Sequence, residues 1–275
     1  MEGIKKYFGE FDMTWPRVII FALATAVYTA VVNLIPFLKD TSFQDIAITL
    51  ECWILFAIFI IVNCDKWWEA SLKTFVFFLV SQPLIYLIEV PFNPVGWGLF
   101  GYYRHWFILT LLTLPGAAIA FLLKKKNWLS VAALSVATGY LAYATVVYFY
   151  TVMASFPHHL LSCIFCLALA VFLVFVLLDE KNHRLAALAV ILAVLIAGAI
   201  ILKPINTQEL ILGDGEWSGS VDDESVATVE ITDNRAVIHA EGEGNTFMKF
   251  TNAEGETTEY YVSVVGGSIF TDEVD

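Results

Sequence analysis

The sequence predicts an all-α bundle of seven transmembrane helices followed by a small all-β sandwich. Two observations carry this. Seven long apolar stretches fill residues 1–204 of a chain that is 59% hydrophobic, and an acidic tail of different composition follows. About 20 apolar residues suffice to cross a bilayer core as a helix. The tail instead alternates apolar and polar residues, the period of a strand.

The expected spans are 17–38, 44–64, 73–91, 105–123, 128–155, 159–178 and 185–203. Around them the chain divides into a cytoplasmic segment 1–16, a membrane domain 17–203, a short tether 204–207 and an acidic extracytoplasmic domain 208–275. In the first segment Ile4, Tyr7, Phe8, Phe11 and Trp15 recur at helical spacing, as in a short helix lying on the inner surface. The first span reads as a signal anchor rather than a cleaved signal peptide, because Asn33, Pro36, Phe37 and Lys39 offer no small-residue cleavage site.

Charge sets the orientation. Residues 1–204 hold 13 basic and 11 acidic residues, whereas residues 205–275 hold 2 basic and 16 acidic. This acidic balance argues against nucleic acid as a partner of the tail. Lys5, Lys6, Arg17, Lys66, Lys73, Lys124, Lys125, Lys126, Lys181 and Arg184 fall on one alternating side of the spans, which is then cytoplasmic. Trp15, Trp67, Trp68 and Trp128 flank the inner span ends, and Trp97 and Trp106 the outer ends, where amphipathic rings settle. The amino terminus is expected inside and the tail outside. Cys52, Cys64, Cys163 and Cys166 all fall in spans, so the exported domain must fold without disulfides. This leans towards a bacterial plasma membrane.

In the tail, strands are expected over 226–231, 236–240, 246–251 and 258–265, separated by turn residues such as Gly213-Asp214-Gly215 and Asn252-Ala253-Glu254-Gly255. Trp217-Ser218 followed by Asp223-Glu224-Ser225-Val226-Ala227-Thr228-Val229 resembles the Trp-Ser…Asp-x-Ser-Val-Ala-Thr-Val run of bacterial Ig-like domains of the second group. Val237–Ala240, Gly242-Glu243-Gly244, Phe247–Phe250, Gly255 and Tyr261-Val262-Ser263-Val264 fall where that family has its later strands. The likeness covers Leu210 to Val265 and departs from the family in having little chain before the tryptophan. It implies an Ig-like sandwich that works as a spacer or adhesive unit and not as an enzyme. Wall polymer or an extracellular protein is the partner class it implies for 208–275.

Candidate site residues are few. Glu51, Glu89, Arg104, His105, His158 and His159 lie towards the outer ends of spans, where they would form a polar vestibule. Carboxylate with imidazole suits a zinc site or general base, and Arg with carboxylate suits anion recognition. Interfacial anchoring explains the same residues without a site. Gln82, Pro83 and Pro115 mark a midplane pathway, since proline frees helical carbonyls. Plain proline kinks account for them better. Cys163-x-x-Cys166 has the spacing of a redox pair, although buried apolar thiols account for it better. Asp214, Glu216, Asp222, Asp223 and Glu224 offer oxygens to calcium without EF-hand spacing, and solvated surface charge accounts for them better. No cofactor motif and no diagnostic catalytic motif is present. The functional expectation is a membrane-anchored binding or structural module, with homo-oligomerisation open. A transporter or small-ligand site between the helices, and an outer-face intramembrane enzyme, are the alternatives.

Overall fold

The computed structural model describes residues 8, 11–39, 41–154, 156–213, 215–232, 234–265 and 267–274. The chain is mostly helical and ends in a β region of two antiparallel sheets. Of the residues expected on the inner-surface helix, Ile4 and Tyr7 lie outside the described residues, as does Asp214. Contacts divide the chain into two compact units: Met1–Thr145 with Leu161–Ala197, and Val146–Leu160 with Gly198–Asp275.

The α-helices are α1 (Trp15–Leu34), α2 (Ser42–Ile48), α3 (Leu50–Val62), α4 (Trp67–Glu89), α5 (Phe100–Ala120), α6 (Trp128–Ala154), α7 (Leu160–Leu177) and α8 (Lys181–Ile201). Six of them, α1 and α4–α8, are long and apolar enough to cross a membrane. The second expected span is not one helix. It breaks between α2 and α3 with a 44° bend, and the pair makes a seventh crossing when counted as one broken span. Pro83 and Pro115, by contrast, lie inside continuous helices.

Helix α1 begins after Thr14 with Pro16 in its first turn, where a missing N–H costs nothing. Its buried face repeats Ala22, Ala26 and Ala30, small enough to let a neighbouring backbone approach closely. It packs on α4, where Phe77 and Phe78 meet the ring of Trp53 from α3 at centroid distances of 5.9 and 5.6 Å. A second core joins α3 with α6, α7 and α8 through Leu134, Leu141, Leu173 and Ile191.

Hydrogen bonds tie several connections together at one end of the helical unit. Lys73 binds Met13 O and pairs with Glu69 at 2.5 Å. Lys124 Nζ donates to Cys64 O at 2.5 Å, Asn63 Nδ2 donates to Phe8 O, and Lys126 pairs with Asp179 at 2.9 Å. These connections are the ones in which the sequence concentrates lysine.

The strands are β1 (Thr207–Ile211), β2 (Trp217–Val221), β3 (Ala227–Thr232), β4 (Arg235–Ala240), β5 (Gly244–Asn252), β6 (Thr257–Val265) and β7 (Ser268–Val274). One sheet has the order β1-β4-β3 and the other β2-β5-β6-β7. Ala236 and Ile238 from the first share a core with Met248, Phe250, Val262 and Ile269 from the second. Gly219 lets β2 close on that core. A Cβ there would lie 3.0 Å from Ile231 Cδ1 and 3.2 Å from Phe250 Cε1.

The four expected strands are all present, and three more accompany them. Strand β7 lies beyond Val265, where the family likeness ends, and pairs along the length of β6. The expected tether is drawn into this unit. Ile205 O accepts from Ile269 N and Asn206 O from Ala240 N, each at 2.9 Å. Asp223-Glu224-Ser225 forms a turn into β3 in which Ser225 donates its N–H and hydroxyl to Asp223 Oδ1 at 3.0 and 2.5 Å. Those two donors hold the Asp223 carboxyl below the usual carboxylate range, the hydroxyl contributing most. The Asp223-x-Ser225 run thus has a structural use.

Candidate functional site

The break between α2 and α3 centres on Thr49, whose backbone is extended at φ −76° and ψ 161°. Its N–H and its hydroxyl both donate to Asp45 O, at 2.8 and 2.6 Å. A threonine that satisfies the preceding turn in this way competes with helix continuation. The short helix α2 is then held on several sides by polar contacts. Gln44 Nε2 donates to Asn33 Oδ1 and Asn33 Nδ2 donates to Glu89 Oε1, both at 2.8 Å. Thr29 Oγ1 donates to Ala47 O at 3.2 Å. Ser162 Oγ donates to Asp45 Oδ2 at 2.7 Å, and Ser162 N donates to Ser42 Oγ at 3.2 Å. Polar side chains therefore clamp α2 to α1 and α7, and Asn33 bridges α2 to Glu89 at the end of α4.

Glu51 is the second residue of α3, so it opens a helix immediately after the break. It is 5% exposed. Tyr140 of α6 donates its hydroxyl to Oε1 at a long 3.4 Å, and Oε2 has no hydrogen-bond partner among the described residues. The peptide dipoles of the first turn of α3 favour a negative charge there. Glu89 is equally buried but has its partner in Asn33. Among the described residues, the Nε2 of Gln82, which is 3% exposed, and the hydroxyls of Ser81 and Thr74 on the same helix have no hydrogen-bond partner.

The other expected site residues lie elsewhere. Arg104 and His105 are exposed in the first turns of α5, with His105 edge-on to Trp106 at 6.3 Å. His158 is exposed and His159 half-buried in the turn before α7, the latter stacked on Tyr148 at 6.2 Å. These two histidines belong to the unit that holds the β strands, while Glu51, Glu89, Arg104 and His105 belong to the helical unit. Among the described residues no group of three or more His, Cys, Asp or Glu is arranged to hold a metal ion. Glu216, Asp222, Asp223 and Glu224 are exposed, and Asp223 is engaged by Ser225. Cys163 and Cys166 are free thiols, and Cys163 Sγ lies 3.5 Å from Thr145 O.

A cavity of about 220 Å³ opens between α3, α4, α5 and α6 beside Trp53, Thr74, Thr113 and Gly116. Thr74 brings the only unpartnered hydroxyl among the described residues that line it. Gln82, Pro83 and Pro115 are not among those lining residues.

Sequence reasoning missed Asn33, Gln44, Asp45 and Ser162 as parts of one polar assembly. The available signal was an uncharged amide or hydroxyl within an apolar run, which weighing ionisable groups alone passes over. His183 was also missed. It is 5% exposed, 3.5 Å from Glu180, and edge-on to Trp128 at 4.7 Å. Compared with protein-family models, curated proteins and solved structures, the chain has no significant match in any of the three.

Proposed function

We propose that this is a multi-pass bacterial plasma-membrane protein that anchors an acidic, Ig-like β domain outside the cell, where the domain contacts a surface partner. The observation that carries the membrane part is outward-facing apolar surface. Only 11% of the apolar window of α8 and 17% of that of α5 are buried, and Val136, Ile200 and Ile20 are among the exposed apolar residues. So much contiguous apolar helix surface is stable only in lipid or against another protein. The lysine-rich connections at one end then face the cytoplasm.

For the domain, support comes from the outer face of the four-stranded sheet. Phe247 pairs across β5 and β6 with Tyr261, their rings 5.4 Å apart, and Phe270 stands one strand over opposite Ser263. Phe247 is 41% and Phe270 59% exposed. Exposed aromatics grouped among Asn245, Ser263 and Lys249 have the make-up of an interaction surface.

The test is photo-crosslinking in intact cells from a probe placed at Asn245. Adducts that disappear on Phe247→Ser with Phe270→Ser support the reading. Adducts that persist undiminished in the Phe247→Ser, Phe270→Ser double variant sink it.

A further inference from the structure

We propose that Glu51 is a cation-exchanging carboxyl of the helix bundle, binding a proton or a sodium ion at the break between α2 and α3. The proposal rests on the helices lying in lipid but not on the role of the β domain.

Three observations meet at this residue. Glu51 is 95% buried, and its Oε2 has no partner among the described residues. An ionised carboxylate in that state must be paired or neutralised. No Lys, Arg or His pairs with it among the described residues. The titratable groups that face it are all acids: Cys52 beside it on α3, Tyr140 on α6 and Cys166 on α7, with Asp45 of α2 acting on Cys166. These two thiols and the phenol are uncharged near neutral pH, so the groups around Glu51 supply no counter-charge to it.

The break gives the second half of the argument. Helix α2 ends there, so its last carbonyls have no further helical turn to donate to them; of these, Asp45 O accepts from Thr49 and Ala47 O from Thr29. Discontinuous membrane helices present such carbonyls to small cations. The N-terminal dipoles of α3 meanwhile keep the ionised form of Glu51 within reach. A carboxyl with burial opposing its charge and a helix N-terminus supporting it can release its cation as well as hold it. Glu89 serves as the internal contrast, because Asn33 already donates to it.

The test is modification of the purified full-length protein in detergent by dicyclohexylcarbodiimide, which attacks protonated carboxyls in apolar surroundings, read by mass spectrometry of the Glu51 peptide. The expected result is an adduct on Glu51 that alkaline pH or sodium suppresses at least about tenfold. Suppression by sodium chloride but not by choline chloride identifies sodium as the competing ion. Suppression by pH alone identifies the proton. An unlabelled Glu51 at every pH, or labelling indifferent to both pH and sodium, overturns the proposal. Glu51→Gln removes the adduct, and a wild-type-like gel-filtration profile shows that the loss is chemical. Because the assay is made in micelles, a wrong sidedness for the protein leaves its outcome unchanged.

Discussion

Phe250→Ala and Phe247→Ala lie on the same strand, three residues apart, and should behave in opposite ways. Phe250 is fully buried, edge-on to Tyr260 at 5.7 Å and closed over by Gly219. Truncating a buried phenylalanine costs about 3–5 kcal/mol. A domain of about 70 residues has roughly 3–10 kcal/mol in all. The change thus removes much or all of the stability of the β domain, or roughly 12–40 °C of its melting temperature at about 4–8 °C per kcal/mol. Phe247 points to the other face and is 41% exposed, so its loss costs under about 1 kcal/mol. Brief proteolysis of the full-length protein across a temperature series reads both, since cleavage within residues 208–275 follows opening of the domain. Equal sensitivity of the two variants refutes the reasoning, because a one-residue slip in register would exchange the faces.

Gly242→Ala should destabilise the same domain by about 1–3 kcal/mol, since a Cβ there lies 2.6 Å from Ser225 O, a backbone atom that cannot swing aside. Thermal melting of the variant checks it. Ser225→Ala removes both the hydroxyl bond to Asp223 and the main cause of its lowered carboxyl. A lowered carboxyl contributes stability above its unfolded value near 3.9, and loses it as pH falls through the folded value. The variant's acid transition should therefore be shallower below about pH 4, as pH-dependent melting would reveal. Lys73→Met leaves Glu69 and Met13 O without their donor and should cost roughly 3 kcal/mol, measured as a lower melting temperature in detergent.

Much of the architecture is legible in the sequence. Apolar length locates the helices to within a few residues at most ends, as in Trp128–Ala154 against the expected 128–155. Alternation locates β3 to β6. The break at Thr49 was hidden because hydropathy averages over a window, while a single threonine hydroxyl bonded to Asp45 O decides the local backbone. Pro83 and Pro115 look like breakers but sit in helices that continue through them. Strands β1 and β7 were missed because Gln208, Glu209, Asp272 and Glu273 dilute their alternation. Both are secured by long-range contacts, the tether carbonyl of Ile205 reaching Ile269 N and Gln208 Nε2 reaching Thr271 Oγ1. At the candidate site, Glu51 stood out as a charge in an apolar run. Its place at a helix start and the approach of Tyr140 from α6 depend on tertiary packing.

Sidedness is the claim on which the account turns. The measurement is labelling of single engineered cysteines by a membrane-impermeant maleimide, at Glu254 in the turn after β5 and at Lys125 in the connection before α6, both exposed. Three of the native thiols are buried and Cys163 is half-buried, so the background is low. Glu254→Cys is expected to react in intact cells, and Lys125→Cys only after permeabilisation. The reverse pattern, or reaction of both sites in intact cells, contradicts an anchored protein that displays its β domain outside.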